Sequence, residues 1–145
     1  MFDINEPATI KNVTNFFEKD FEKYQAINKT KFDIKSVDYS KIKVNGSSNN
    51  SAVANRYIFI INAQQRLACV KPAIENCNDT NKIILTERYL NNLPAWQVEA
   101  EVGYGHTQFY VHFHKACLEF ADNFLMEQLI QGVDDIQDLH VYSNN

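Results

Sequence analysis

The chain has 145 residues, of which 45% are hydrophobic and 22% are charged. This length and composition allow a substantial buried core, which excludes wholesale disorder and favours a single domain over residues 1–145. The formal net charge of −4 disfavours direct nucleic-acid binding, because a phosphate footprint needs clustered and unopposed positive charge.

The first predicted element is a helix over residues 6–27. Asn5 can cap its start, and Pro7 suits the first turn, where the missing N–H removes no hydrogen bond. Apolar residues recur at three- and four-residue steps, which predicts one buried stripe. The stripe consists of Ile10, Val13, Phe17, Phe21 and Tyr24.

The middle of the chain favours β structure. Residues 56–62 are apolar on both faces, which predicts a central strand. Gln64-Gln65 could turn the chain back into a second apolar strand. In residues 32–44 the alternation of apolar and polar residues is interrupted, which predicts a bulge or a broken strand there. The predicted strands are residues 32–44, 56–62, 67–70 and 82–89, and the predicted loops include residues 45–52 and 72–81.

Alternating apolar and polar side chains in residues 96–114 predict a β-hairpin after a break at Leu93-Pro94. If Val102 pairs with Thr107 across the intervening turn, each face is uniform, and a one-residue slip would mix the two faces. The apolar face then consists of Trp96, Val98, Ala100, Phe109, Val111 and Phe113. The polar face consists of Gln97, Glu99, Glu101, Gln108, Tyr110, His112 and His114.

A second helix is predicted over residues 115–131. Cys117, Phe120 and Phe124 make it broadly apolar, and Gly132 can end it. The tail predicts a final strand at residues 139–142. This order of elements predicts an α+β fold, in which an antiparallel sheet of about five strands is covered on one face by an N-terminal and a C-terminal helix.

The histidines of the predicted hairpin raise the question of a metal or catalytic site. On a strand, His112 and His114 would lie roughly 6.5–7 Å apart and could chelate one ion, with Glu99 as a third ligand. Zinc sites usually need three or four well-braced ligands, so we predict no metal and no other cofactor. No nucleophile lies in a recognisable turn and no Gly-rich phosphate loop is present, so we predict no catalytic residue.

Charge is distributed unevenly along the chain. Residues 1–94 contain thirteen Lys/Arg and ten Asp/Glu, which leaves +3, whereas residues 95–145 contain one Lys and eight Asp/Glu, which leaves −7. All four histidines also lie in this acidic third. Such self-repulsion costs stability, and it indicates either an ordinary solvated helix and sheet face or a surface that meets a cationic partner.

From this asymmetry we expect a small acidic binding protein rather than an enzyme. Carboxylates beside Tyr and Trp anchors suit the capture of a basic protein, such as a toxin or another nucleic-acid enzyme. The hypothesis is an immunity-type inhibitor that acts by steric and electrostatic occlusion. The predicted partner-binding residues are Gln97, Glu99, Glu101, Tyr110, His112, His114, Glu119, Asp122, Asp134 and Asp135.

Hydrophobic runs and cysteines indicate the compartment. No apolar run approaches the roughly 20 residues needed to cross a bilayer, and the first residues lack the pattern of a signal peptide. Cys69, Cys77 and Cys117 are widely spaced and contain no CxxC pair, which argues against a disulfide framework or a zinc knuckle. We therefore expect a cytoplasmic protein without membrane contact.

Two alternative functions remain open. One is a dimeric chaperone for a secreted protein, in which the sheet or the second helix forms the dimer seam. The other is a small enzyme or ligand-binding domain that uses His112 and Glu99 in a cup formed by a curved sheet, because a His beside a carboxylate can act as a base near neutral pH.

Overall fold

The computed structural model describes residues 3–29 and 48–143, and within these ranges the chain is helical. No strand occurs in the described ranges, where the β pairing is an isolated bridge between Ile4 and Tyr142. The helices are α1 (Glu6–Asn15), α2 (Phe21–Lys29), α3 (Ser48–Glu75), α4 (Asp79–Leu85), α5 (Ala95–Val102) and α6 (His106–Gln131), with π-helical turns at Phe16–Asp20 and Thr86–Leu90.

The predicted N-terminal helix is confirmed, because α1, the first π-helical turn and α2 follow one another without a break. Asn5 caps the start through its Oδ1 atom, which accepts a hydrogen bond from the Ala8 N–H at 3.1 Å. A π-helical turn shifts the helical register, and here both Phe16 and Phe17 enter the core at 1% and 3% exposure. Ile10 is the one half-buried member of the predicted stripe, and its other four residues are buried.

The predicted α+β fold with a five-stranded sheet is wrong for the described part of the chain, which is all-helical. Predicted strands 56–62 and 67–70 both lie within the single helix α3, and Gln64-Gln65 makes no turn. Strand 82–89 is replaced by α4 and the second π-helical turn. Strand 32–44 and residues 45–47 of the predicted loop lie outside the described residues.

Packing explains why α3 is a helix despite its β-branched and aromatic residues. Its buried residues Ala63, Val70 and Ile74 are seven and four positions apart, which places them on one helical face. β-propensity is a weak and context-dependent preference. Burial along this stripe, with α3 packed against α2 and α6, therefore favours a helix over residues 63–74, whereas Ile58 and Phe59 in the first half of α3 are exposed.

The predicted β-hairpin is also wrong, because residues 95–131 form α5 and α6 with a short connection at residues 103–105. Gly103 ends α5 in the left-handed conformation, with φ of 78°. Of the predicted apolar face, Val98, Phe109 and Phe113 are buried, which fits helical spacing. Trp96, Ala100 and Val111 are exposed.

Helix α6 is the centre of the core and contacts α1, α3 and α4. It begins nine residues before the predicted start at residue 115 and ends as predicted at Gln131, where Gly132 is the C-cap. Aromatic rings fill the space between it and the N-terminal helices. Phe16 lies 5.0 Å from Phe124, and the ring of Phe17 stacks on Tyr89 at 4.1 Å.

The tail after α6 forms no strand at the predicted residues 139–142, although it returns to the start of the chain. The Asn5 N–H donates to the Val141 carbonyl at 2.8 Å, and the Ser143 N–H donates to the Asp3 carbonyl at 2.8 Å. The Val141 N–H donates to the buried Thr9 hydroxyl at 2.9 Å. The two ends of the described chain are therefore joined by hydrogen bonds.

Candidate functional site

A surface cleft lies where α4, the second π-helical turn and α5 meet. We call it the acidic cleft, and its volume is about 520 Å³. It falls within the roughly 300–1,000 Å³ typical of ligand sites. Its lining residues are Thr80, Ile83, Glu87, Glu101, Val102 and Tyr104.

The two carboxylates of the acidic cleft lie beside each other. Loss of hydration, and then the charge of Glu87 and a hydrogen bond to it, raise the pKa of Glu101. Glu87 also accepts a hydrogen bond from the Asn91 side-chain amide at 2.8 Å. Neither carboxylate forms an ion pair with a Lys or Arg of the described chain. Two such carboxylates repel each other unless a proton or a cation is shared between them.

Next to the cleft, the connection between α5 and α6 is held by histidine contacts. His106 Nδ1 lies 2.9 Å from Glu99 Oε1, so the start of α6 is tied to α5. The His112 ring stacks on Tyr104 with a centroid distance of 4.5 Å and an interplanar angle of 7°. These contacts position Tyr104 at the mouth of the acidic cleft.

Trp96 lies on α5, the helix that also contributes Glu101, and its side chain is 69% exposed. It is the only tryptophan of the chain. An α5 of eight residues is about 12 Å long, and Trp96 and Glu101, which are five positions apart on it, point about 140° away from each other. An exposed Trp is a typical anchor for a protein partner.

The predicted partner-binding residues fall into three separate groups rather than on one sheet face. Gln97, Glu99 and Glu101 lie on α5, and Tyr110, His112 and His114 lie on the first half of α6. In a helix His112 and His114 point about 200° apart, so the predicted His-x-His pair cannot chelate one ion. The six residues therefore lie on two consecutive helices rather than on one face.

The second group makes internal contacts. Glu119 Oε1 accepts hydrogen bonds from the Asn78 N–H at 2.8 Å and the Asn81 side-chain amide at 3.0 Å, which helps to satisfy the start of α4. Asp122 Oδ1 lies 2.6 Å from His140 Nε2. Both carboxylates therefore stabilise the fold directly.

The third group fastens the tail to α3. Asp134 accepts a hydrogen bond from the Gln65 side chain at 3.2 Å, and Asp135 pairs with Arg66 at 2.9 Å. Many carboxylates of residues 95–145 therefore bind other side chains or N–H groups of this chain. Asp122 and Asp135 form ion pairs with His140 and Arg66, whereas Glu87 and Glu101 form none with a His, Lys or Arg of the described chain.

Sequence reasoning missed Glu87, Tyr104 and the bridging role of His140. Glu87 lay within a predicted strand, distant from Glu101 along the chain, and no local pattern indicates that the two meet. Tyr104 and His112 are eight residues apart and join only because a Gly-containing connection folds α5 onto α6. The ring centroids of His106 and Tyr110 lie 4.8 Å apart because residues four positions apart are neighbours on a helix, and the predicted strand did not indicate this contact.

Metal and thiol chemistry find little support among the described residues. No group of three or more His, Cys, Asp or Glu side chains there is arranged to hold a metal ion. Burial raises the pKa of the Cys69 thiol to about 11 and that of Cys77 and Cys117 to about 12, and all three are buried. Thiols of this kind are inert near neutral pH.

Within residues 3–29 and 48–143 no helix has the length and apolar character of a membrane span.

Comparison with protein-family models, with curated proteins and with solved structures finds no match for this chain. The immunity-type inhibitor hypothesis relied on a carboxylate-bearing sheet face, which the described chain lacks, and no relative supports it. The enzyme alternative relied on His112 beside Glu99, and these side chains instead contact Tyr104 and His106.

Proposed function

We propose that this protein is a protein-binding domain that captures a basic segment of a partner at the acidic cleft. A lysine or arginine side chain would enter between Glu87 and Glu101, and Trp96 would pack against the apolar part of the segment. This proposal keeps the expectation of a basic partner and changes the surface that meets it.

The observation that carries the proposal is that Glu87 and Glu101 line one cleft and form no ion pair with a Lys or Arg of the described chain, and the raised pKa of Glu101 agrees with their proximity. A cation placed between two carboxylates removes their mutual repulsion and adds two attractive contacts, so binding would be stronger than at a single exposed carboxylate. An arginine guanidinium can satisfy both groups because its donors form a planar fork.

The test is a titration with a short oligo-arginine peptide, followed by the fluorescence of the single Trp96. The double substitution Glu87→Gln and Glu101→Gln should weaken binding by about 2- to 30-fold, because exposed charge pairs each contribute about 0.2–1 kcal/mol. Binding of the unmodified chain should also weaken as salt rises. A neutral peptide of the same length should leave the fluorescence unchanged.

Glu18→Gln with Glu22→Gln is the matched control, because it removes the same charge from exposed positions on the N-terminal helices. It should leave most of the affinity intact. Equal losses from the two double variants would mean that only net charge matters and would refute a localised site. No fluorescence change with any basic peptide would refute the proposal as a whole.

A second candidate is the dimeric chaperone, which a different surface supports. Met126, Leu129 and Ile130 near the end of α6 are 56%, 57% and 71% exposed, and contiguous apolar exposure of this kind often marks an interface. Ile130→Lys should then shift the sedimentation of a dimer to that of a monomer. A chain that sediments as a monomer before substitution would refute this candidate.

A further inference from the structure

A second pocket lies between α2, α3 and the second π-helical turn, and it shares no lining residue with the acidic cleft. We call it the lysine pocket, and its volume is about 330 Å³. Its floor is apolar, with Phe21 and Val70 buried and Leu67 and Leu90 half-buried. This floor favours a hydrocarbon or aromatic body over a polar one.

The rim of the lysine pocket is basic in a chain whose net charge is negative. Lys29 ends α2 and Lys71 lies near the end of α3, and both side chains are exposed. Neither ammonium group forms an ion pair with another described residue. The side-chain amides of Gln25 and Asn28 complete the rim and add hydrogen-bond donors.

The combination of an apolar floor with two amides and two ammonium groups that form no ion pair within the described residues favours an amphipathic anion. The carbonyl groups at the C-terminal end of α2 carry partial negative charge, which opposes a dianion such as phosphate more strongly than a monoanion. The volume lies at the small end of the range for ligand sites, which favours a compact ligand.

We propose that the lysine pocket binds a small carboxylic acid as its monoanion. The apolar body would lie on Leu67, Val70 and Leu90, and the carboxylate would lie between Lys29 and Lys71. The residues that form this site differ from those of the acidic cleft, so the two proposals stand or fall separately.

The test compares octanoate, octanol and octylamine by calorimetric titration of the full chain. Octanoate should bind several-fold more tightly than octanol, and octylamine should bind more weakly than octanol, because the rim attracts an anion and repels a cation. The double substitution Lys29→Gln and Lys71→Gln should weaken octanoate binding by about 3- to 30-fold and leave octanol binding unchanged.

Lys11→Gln with Lys19→Gln is the control, because it removes two exposed charges from α1 and the first π-helical turn, away from the lysine pocket. This variant should retain octanoate affinity within about two-fold. Absence of octanoate binding would overturn the proposal, and so would equal affinities for octanoate and octanol. Equal losses in the two double variants would overturn it as well, because they would assign the effect to net charge.

Discussion

His140 joins the tail to α6 through both of its ring nitrogens. Nε2 lies 2.6 Å from Asp122 Oδ1 and Nδ1 lies 2.6 Å from Asp138 Oδ1, and the side chain is 6% exposed. Tyr142 donates a hydrogen bond to the other oxygen of Asp138. An imidazole can donate from both nitrogens only when it is protonated, so this arrangement stabilises the imidazolium ion.

The charge state of this cluster makes stability depend on pH. Although burial opposes the charged form, hydrogen bonds to Asp122 and Asp138 raise the pKa of His140. Burial likewise opposes ionisation of Asp138, but hydrogen bonds from Tyr142 and His140 lower its pKa. The stabilisation by His140 is therefore complete below its unfolded pKa of about 6.5 and is lost as pH rises through its folded pKa. The stabilisation by Asp138 is lost only as the pH falls through the lowered pKa of that carboxyl in the folded state.

We predict that His140→Gln lowers the free energy of unfolding by about 1–2 kcal/mol near pH 6 and by less near pH 9. Urea unfolding at several pH values measures this difference. His114→Gln is the control, because that exposed histidine lies outside the cluster. A loss for His140→Gln that is constant from about pH 6 to about pH 9 would show that its charge makes no contribution.

At the scale of elements, the connection between α5 and α6 depends on one glycine. Gly103 has φ of 78°, whereas Gly105 has φ of −68°, and a Cβ atom at either position would meet open space. We predict that Gly103→Ala lowers the free energy of unfolding by about 1 kcal/mol or more, because L-residues are strained at positive φ. Thermal unfolding measures the loss.

Gly105→Ala is the matched variant on the same connection. Its φ suits alanine, and the smaller entropy of the unfolded chain offsets the weaker helix cap, so stability should change by less than about 0.5 kcal/mol. Equal effects of the two alanines would contradict the left-handed end of α5.

The start of α6 distinguishes a helix from the hairpin that the sequence predicts. Phe109 is 1% exposed and Val111 is 43% exposed, whereas a hairpin would bury both. We predict that Phe109→Ala costs about 3–5 kcal/mol of stability and that Val111→Ala changes it by less than about 0.5 kcal/mol, as measured by urea unfolding. A large loss from Val111→Ala would favour the hairpin.

Patterns in long periodic segments predicted their elements correctly, and those in short segments did not. The stripe from Ile10 to Tyr24 extends over four helical turns, so its period is unambiguous. Residues 96–102 cover less than two turns, where alternate apolar residues fit a strand as well as a helix. Residues 57–61, within the predicted strand 56–62, are apolar on all sides, which removes the periodic signal altogether. Contacts between distant elements, such as Glu87 with Glu101, leave no trace in one sequence.

At the scale of the whole molecule, the tail after α6 connects elements that are distant along the chain. Arg66 of α3 donates to the Asp135 carbonyl at 2.9 Å and to the Tyr24 hydroxyl at 3.0 Å. The Tyr24 hydroxyl donates in turn to the Gln137 side chain at 2.9 Å. The Gln137 N–H and carbonyl bind the side chain of Gln128, which is fully buried.

We predict that ending the chain after Val133 lowers the free energy of unfolding by about 4 kcal/mol or more, a large part of the 5–15 kcal/mol typical of a folded protein. The truncation exposes the apolar surface that Leu139 covers. It also leaves the Gln128 side chain with one hydrogen bond, to the Phe124 carbonyl. Each buried polar group without a partner costs about 1–3 kcal/mol. Asp135→Ala in the full chain is the control and should cost less than about 1 kcal/mol, because its carboxylate is 66% exposed. Urea unfolding compares the three chains, and an unchanged midpoint after truncation would mean that the helices are stable without the tail.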